Sequence, residues 1–500
     1  MKGILLLITV LYWHSVILSQ SIFFSRIYEP PETYWSWGRS VIPTDAGYLA
    51  ISIGAGYDGG SNRNIILCFT DLEGTPYLWN NIGNPNCHYY PSHGSLHHIE
   101  GKGYALTATL EIDSLRIGKL ILVDYSGDMR WSKTFSDDIT GDTTAIILRT
   151  SILANNDDFI IVGSLYGPSG NNGNYFIIRA DSSGNQKWQN SFGSSANEEL
   201  RSIAEMPNGD LVFGGYQVED NLIRDPVVIR TDSNGNIIWQ KVFGGVYTDA
   251  SPKIAIANDS NILIGFAQGY SEPVIGLSYR VLTFMKLDVF GDTIWCKQSG
   301  DTLLGNFVAK MIVLDNGNFV AMGTTQIEPN VYSRAFLYKL TDNGDSLWYK
   351  RYLYTTQTIT NSIQDFELAN DNGFILCGGI FTETPAFAEQ MWLLKVDSNG
   401  CDTCGTGVGI RPWNISEYLS FGIYPNPSSH SMNIRYPLSE TRNSIFIYDM
   451  FGRLMDEIII PSGQDENKVD VSRYRDGIYV AVLRNEEKTL GREMFVVKKK

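Results

Sequence analysis

The sequence predicts an all-β chain of seven repeated units followed by a separate small β domain, and three observations carry that prediction. First, a signature of Asp, two residues, Gly and then Trp recurs as Asp71-Gly74-Trp79, Asp124-Gly127-Trp131, Asp181-Gly184-Trp188, Asp232-Gly235-Trp239 and Asp288-Gly291-Trp295. A sixth copy, Gly344-Trp348, has Thr341 at the Asp position, and a seventh, Asp397-Gly400, reaches Cys404 where Trp is expected. Successive Trp residues lie 51 to 57 residues apart. Second, a turn followed by an apolar run interleaves with this signature, at 45–49, 101–105, 156–160, 208–212, 259–263, 316–320 and 372–376, again seven copies. Third, aromatics make up 12% of the 500 residues and charged residues only 19%, with 48 Gly and 11 Trp. Disorder needs the opposite mix, so the chain folds.

The elements follow in chain order. Lys2, an apolar run from Ile4 to Leu18 and the small residues Ser19 and Ser21 read as a secretory signal peptide over 1–19. The run is shorter than the roughly 20 apolar residues a membrane span needs and is interrupted by His14. No Cys stands at the junction for a lipoprotein anchor, and no transmembrane segment is expected in the mature protein. A net charge of −15 excludes a nucleic-acid partner, because phosphate binding needs clustered Lys and Arg.

One unit shows what each is made of. Ser202–Met206 reads as a strand, Pro207–Asp210 as a turn, Leu211–Tyr216 as a second strand, and Pro226–Asp232 as a third. A hairpin at Asp232-Ser-Asn-Gly leads to the fourth, Ile237–Phe243, which carries Trp239. Asp suits such a turn because its carboxylate bonds amides two residues on, and Gly accepts positive φ. Four short antiparallel strands of this kind stack radially as a propeller blade. The prediction is a seven-bladed β-propeller of four-stranded blades over 31–400. The last unit runs into Gly-rich sequence after Asp397, whereas Tyr34-Trp35-Ser36-Trp37 offers an unpaired aromatic strand. Residues around 31–38 are therefore expected to supply the outer strand of the seventh blade and close the ring.

The six Trp residues (Trp79, Trp131, Trp188, Trp239, Trp295 and Trp348) are expected to pack between neighbouring blades. Their rhythm resembles the tryptophan-docking repeats of quinoprotein propellers. That resemblance implies eight blades and a quinone over acidic and basic groups; seven copies without such a constellation predict no cofactor. The Asp residues lack the Asp-x-Asp-x-Asp-Gly spacing of a calcium loop, so hairpin chemistry accounts for them.

Residues 401–420 read as a linker, Gly-rich and then polar. From 421 to 500 the alternation yields six or seven short strands, the size of a small β-sandwich. The order of motifs is Tyr424-Pro425-Asn426-Pro427, a turn from Asp449 to Gly452, Gly477-Ile-Tyr479 and a terminal apolar strand ending in lysines. This segment resembles the type A sorting domain of the type IX secretion system of Bacteroidetes. The resemblance implies export in two steps, with the secretion machinery and its sortase as partners, removal of the domain, and a cargo released or attached at the outer-membrane surface.

Candidate chemistry is sparse. His88, His93, His97 and His98 fall together, and imidazoles can hold zinc or copper. Their spacing fits no helical zinc motif, and adjacent His97 and His98 would face opposite sides of a strand, so no metal site is predicted. Gly344-Asp345-Ser346-Leu347 spells a serine-esterase tetrad but falls on the repeated hairpin. No Gly-x-Ser-x-Gly elbow, His-Glu-x-x-His or P-loop is present. Cys401 and Cys404 are spaced for a small loop, Cys68, Cys296 and Cys377 read as buried thiols, and Cys87 is left open.

Two function classes follow. The favoured one is a secreted or surface protein whose propeller binds a glycan or protein ligand. The other is a propeller-type hydrolase or lyase acting on extracellular polymers. The latter would gather two or three acidic or His groups with shifted pKa values at one mouth of the ring. The former would show a wet channel lined by unrelated polar residues.

Overall fold

A computed structural model describes residues 22–31, 33–56, 62–84, 86–113, 115–136, 145–167, 173–194, 197–218, 223–244, 247–272, 277–299, 305–328, 332–355, 358–382, 388–402, 422–424, 428–436, 443–449, 453–460, 466–484 and 489–499. The expected signal peptide lies outside them. The chain divides into two compact units, Met1–Cys404 and Gly405–Lys500. Among the described residues every regular element is a strand.

The first unit contains seven antiparallel sheets. The first holds Thr33–Pro43, Gly47–Gly56, Arg63–Asp71 and Pro76–Ile82. The second has an inner edge split into His88–Pro91 and His97–Ile99, then Gly103–Ile112, Leu115–Val123 and Met129–Phe135. The third is Ala145–Leu153, Phe159–Tyr166, Gly173–Ala180 and Gln186–Phe192; the fourth is Asn197–Glu205, Leu211–Val218, Arg224–Thr231 and Ile237–Val242. Lys253–Ile256, Ile262–Glu272, Leu277–Leu287 and Thr293–Ser299 form the fifth. The sixth is Asn306–Val313, Phe319–Glu328, Tyr332–Leu340 and Ser346–Tyr352. Each sheet packs on the next along its first strand, and the seventh packs back on Thr33–Pro43, so the succession closes on itself.

Closure uses a different segment from the one expected. The seventh sheet is Thr358–Leu368, Phe374–Thr382, Ala388–Val396 and, as its outer strand, Phe24–Tyr28, which runs antiparallel to Met391–Lys395. Residues 33–43 instead form the inner strand of the first sheet. The reason is positional: every sheet begins with the strand before its first turn, and the turn at 44–47 already claims 33–43. Phe24 and Tyr28, four residues apart on one strand face, are both buried, and the Tyr28 hydroxyl donates to the Gly74 carbonyl at 2.6 Å.

The repeated turn works as its chemistry requires. Oδ1 of Asp181 accepts the amides of Ser183 and Asn185 at 2.9 Å each, and Asp232 does the same for Asn234 and Asn236 at 2.9 Å. These bonds hold both carboxyls below their ordinary range, led by the backbone bond from Asn185 and the side-chain bond from Asn236. In the sixth copy the Thr341 hydroxyl replaces the carboxylate and accepts the Asp345 amide at 3.0 Å.

The Trp residues join one sheet to the next. Gly184 sits at φ +78°, and a Cβ there would lie 2.6 Å from the Trp131 ring of the preceding sheet. Trp188, Trp239, Trp295 and Trp348 lie likewise against Gly235, Gly291, Gly344 and Gly400. At the closure Phe24 takes this place over Gly74. Trp79 departs from the pattern. It stands eight residues after its turn Asp rather than seven, and a one-residue slip turns a strand side chain to the other face. It faces the closure instead, in edge contact with Tyr28 at 6.4 Å.

In the second unit, Gly422–Tyr424, Ser431–Arg435 and Glu466–Asp470 form one sheet, and Leu454–Ile460, Asn443–Asp449, Gly477–Arg484 and Thr489–Val497 form another. Met432, Ile434 and Val469 from the first join Ile445, Ile447, Leu483 and Phe495 from the second in one buried cluster.

Candidate functional site

The first strands of the second to seventh sheets enclose a cavity of about 610 Å³, within the range of small-molecule sites. Charge enters it through bulges. The register of the inner strands slips at Arg39, Arg149 and Arg201, leaving each as the extra residue of a β-bulge, a device that re-aims a side chain. The bulge needs space opposite it. A Cβ on Gly163 would fall 1.8 Å from the Ile147 carbonyl oxygen, and one on Gly215 would fall 2.3 Å from that of Glu199. In the third and fourth sheets the Gly that ends the apolar run of the sequence thus marks the place where the neighbouring strand bulges.

Two charged groupings result. In one, buried Glu199 accepts Arg149 at 2.8 Å and also pairs with Arg201. The His93 ring Nε2 lies 2.8 Å from an Arg39 guanidinium nitrogen. Arginine can only donate, so His93 accepts there as a neutral ring. Burial, then Arg39, Lys253, Arg149 and Arg201, hold its pKa well below the ordinary value. Lys253 donates to the Arg201 carbonyl at 3.0 Å. Burial first and then Arg201 bring its pKa down to about 7. Burial and then Arg149 lower Arg39 to about 10. Among the described residues no carboxylate forms an ion pair with Lys253 or Arg39. The Nε atoms of Arg39 and Arg149 are buried without a hydrogen-bond partner.

In the other grouping, Lys310 bridges Asp365 at 2.7 Å and Glu367 at 2.5 Å. Asp365 also accepts the Ser40 hydroxyl at 2.7 Å and the Val41 amide at 3.0 Å, tying the sixth, seventh and first sheets together. Burial opposes the Lys310 charge, but the two carboxylates outweigh it and hold the ammonium above its usual range. Burial and then Asp365 raise Glu367.

The four His residues separate. His93 and His97 line the cavity. His88 accepts the Arg63 amide at 3.2 Å, and exposed His98 lies against Tyr125 with 3.3 Å between Nε2 and the hydroxyl. The His97 Nε2 lies 2.9 Å from Ser151 Oγ, and burial and then Lys310 lower its pKa to about 4. Among the described residues no three His, Cys, Asp or Glu side chains converge as metal ligands.

The Gly344-Asp345-Ser346-Leu347 tetrad forms the sixth sheet's hairpin, where Asp345 pairs with Lys297 of the fifth at 2.5 Å. Cys68, Cys87 and Cys377 are buried, but Cys296 is exposed, correcting the expectation of a buried thiol. It is the outward neighbour of Trp295 on an alternating outer strand. Cys404 lies outside the described residues. So do Pro425, Asn426, Pro427 and Gly452 of the sorting motif. Gly477 opens its strand, and buried Tyr479 stacks on Phe495 at 5.6 Å while its hydroxyl donates to the Arg475 carbonyl at 2.9 Å.

Residues 422–498 match the family described as a secretion system C-terminal sorting domain. The tail is that of the type IX route, and it marks the chain for export to the cell surface or beyond it. No curated protein matches the chain significantly. The solved β-propeller domain of the Trilobed protease of Pyrococcus furiosus is similar over 75% of this chain and 99% of its own, at 10% identity and a TM-score of 0.43. PorZ, a surface component of the type IX secretion system of Porphyromonas gingivalis, is similar over 92% of this chain and 70% of its own, at 14% identity and a TM-score of 0.32. A polysaccharide lyase, an ulvan lyase, is similar over 74% and 96%, at 8% identity and a TM-score of 0.45. At these scores nothing about function carries over to this chain. Among the described residues no helix is long and apolar enough to cross a membrane.

Proposed function

We propose that the chain is a type IX cargo whose first unit is a seven-bladed β-propeller that binds a glycan or protein ligand outside the cell. In this reading residues 1–19 are a signal peptide, 401–420 a linker, and 421–500 a β-sandwich sorting domain read by the secretion machinery and its sortase. The observation that carries the binding reading is the cavity. Of the acids that line it, Asp365 and Glu367 are engaged by Lys310 and Glu205 accepts the Asn155 amide at 2.7 Å, while Glu199 beside it is held by Arg149 and Arg201, which leaves no free carboxylate pair for acid–base work.

The hydrolase alternative has one observation in its favour, the hydrogen-bonded His97 and Ser151. Ser151 is only 1% exposed, however, and a His whose pKa is about 4 is a weak base for a serine hydroxyl. The test is to export the full chain from a host carrying the type IX route and screen it against glycan and protein arrays, with hydrolysis assayed in parallel. Saturable binding without turnover is expected. Turnover abolished by Ser151→Ala would replace the binding reading with the hydrolase. A chain lacking 422–500 is expected to stay in the periplasm; its arrival at the surface would remove the sorting role.

A further inference from the structure

The cavity contradicts the chain around it. The protein carries a net charge of −15, yet Arg149, Arg201 and Lys253 come together in the cavity lining, with Arg39 of the first sheet near Arg149 and with Glu199 as the paired carboxylate of Arg149 and Arg201. Two of those four cations have no carboxylate of their own. Arg149 and Arg201 keep about a third of their side-chain surface open (32% and 31%) while the Glu199 between them is 1% exposed, so their free donors face the cavity rather than the acid. Two guanidinium Nε–H groups in the cluster, of Arg39 and Arg149, are buried with nothing to bond, which adds to the cost of holding the cations there. Like charges held this close repel unless a counter-charge sits among them.

We propose that this cluster is an oxyanion site that takes the carboxylate or sulfate group of an acidic saccharide, held by Lys253, Arg201 and Arg149. The inference rests on the ligand-binding reading and names its ligand class. Guanidinium groups suit these anions because their planar forks match paired oxygens. A saccharide rather than a bare ion is indicated by the volume, far larger than one oxyanion fills, and by the lining. The lining also includes half-buried Phe307, apolar surface for a sugar face, and the hydroxyl of half-buried Thr150.

The site also makes binding proton-linked. The charged or titratable groups around Lys253 are Glu199, Arg201 and Glu205 of the fourth sheet, Arg149 of the third, Lys310 of the sixth, and His93 of the second. With its pKa at about 7, Lys253 is largely neutral at pH 8 in the free protein. A bound oxyanion restores the ammonium, so binding at that pH takes up most of a proton.

The test is isothermal calorimetry on the full chain with a galacturonate trimer, a sulfated disaccharide, inorganic sulfate and the neutral trimer maltotriose. Each titration is run at pH 8 in two buffers of different ionisation enthalpy. The proposal expects saturable binding of an acidic saccharide, no maltotriose binding, and uptake of nearly one proton. Lys253→Met is expected to weaken binding at least tenfold and abolish the uptake. This side chain makes one bond, to a carbonyl, so the variant keeps the fold, as its melting curve will check. Binding of maltotriose as tight as the acidic trimer, or a Lys253→Met affinity within twofold of the parent, overturns the proposal while leaving a binding protein in place. Sulfate binding with no preference for either acidic saccharide overturns the saccharide assignment and leaves an adventitious ion only.

Discussion

Replacing Asp365 by Ala tests whether one buried carboxylate ties the ring together where its ends meet. Asp365, in the seventh sheet, is 1% exposed and serves three partners from two other sheets: the Lys310 ammonium at 2.7 Å, the Ser40 hydroxyl at 2.7 Å and the Val41 amide at 3.0 Å. Removing one member of a buried ion pair costs about 3–5 kcal/mol, because the other charge is left behind. Orphaning a buried N–H adds about 1–3 kcal/mol. Two features reduce the sum. Lys310 keeps Glu367 at 2.5 Å, and 25% of its side chain is open to the cavity, so water can reach it. The expected loss is therefore about 3–5 kcal/mol in all. It would be read from chemical denaturation as a lower midpoint at an unchanged slope. Asp365→Asn, which keeps an acceptor for Val41, should lose about half as much. The double variant with Lys310→Met should lose less than the two singles added together, since no orphan cation remains. A loss under about 1 kcal/mol for Asp365→Ala, or strict additivity in the cycle, would refute the reasoning.

The other predictions concern the turns, the closure and pH. Gly184→Ala places a Cβ at φ +78° and 2.6 Å from Trp131; a loss of about 1–3 kcal/mol is expected in thermal melting, and a neutral result would show that the Trp contact is loose. Tyr28→Phe removes the 2.6 Å bond to the Gly74 carbonyl and should cost about 1–2 kcal/mol, with no loss if Phe24–Tyr28 does not close the ring in solution. Lys253 has a folded pKa of about 7 against about 10.4 when unfolded. The unfolded chain therefore binds more protons between these values, and stability rises with pH across that window. Lys253→Met should accordingly be more stable than the parent at pH 6, by about 1–2 kcal/mol after allowance for water in the cavity. The gap should close by about pH 10; a constant gap would mean that Lys253 is not depressed.

Legibility varied from one part of the chain to another, and for physical reasons. Turn chemistry is local: Asp, Gly and Thr act within five residues, so the seven hairpins could be read directly and their bonds lie where expected. Closure was read correctly as a device but placed on the wrong segment, because an aromatic run marks a strand without saying which neighbour it joins. Trp79 looked like its fellows and was not, since the hairpin is the same but the Trp stands one position further along its strand, on the opposite face, and Leu78 takes the usual place. The cationic cluster was missed altogether. Its one trace in the sequence is a basic residue within each of two inner strands, at the bulges of Arg149 and Arg201, together with the Gly that faces each bulge.

By itself, then, the sequence determined what depends on neighbours along the chain: strand period, hairpin turns, the count of repeats, and the tail motifs that mark the chain for export. Tertiary structure alone decided which strand closes the seventh sheet, which of four His residues enter the cavity, and that an acidic protein carries a basic interior site. Arg39, Arg149, Arg201 and Lys253 come from four different sheets. Their proximity is a property of ring closure, which sums side chains about 50 residues apart in sequence, a separation at which local patterning carries no information.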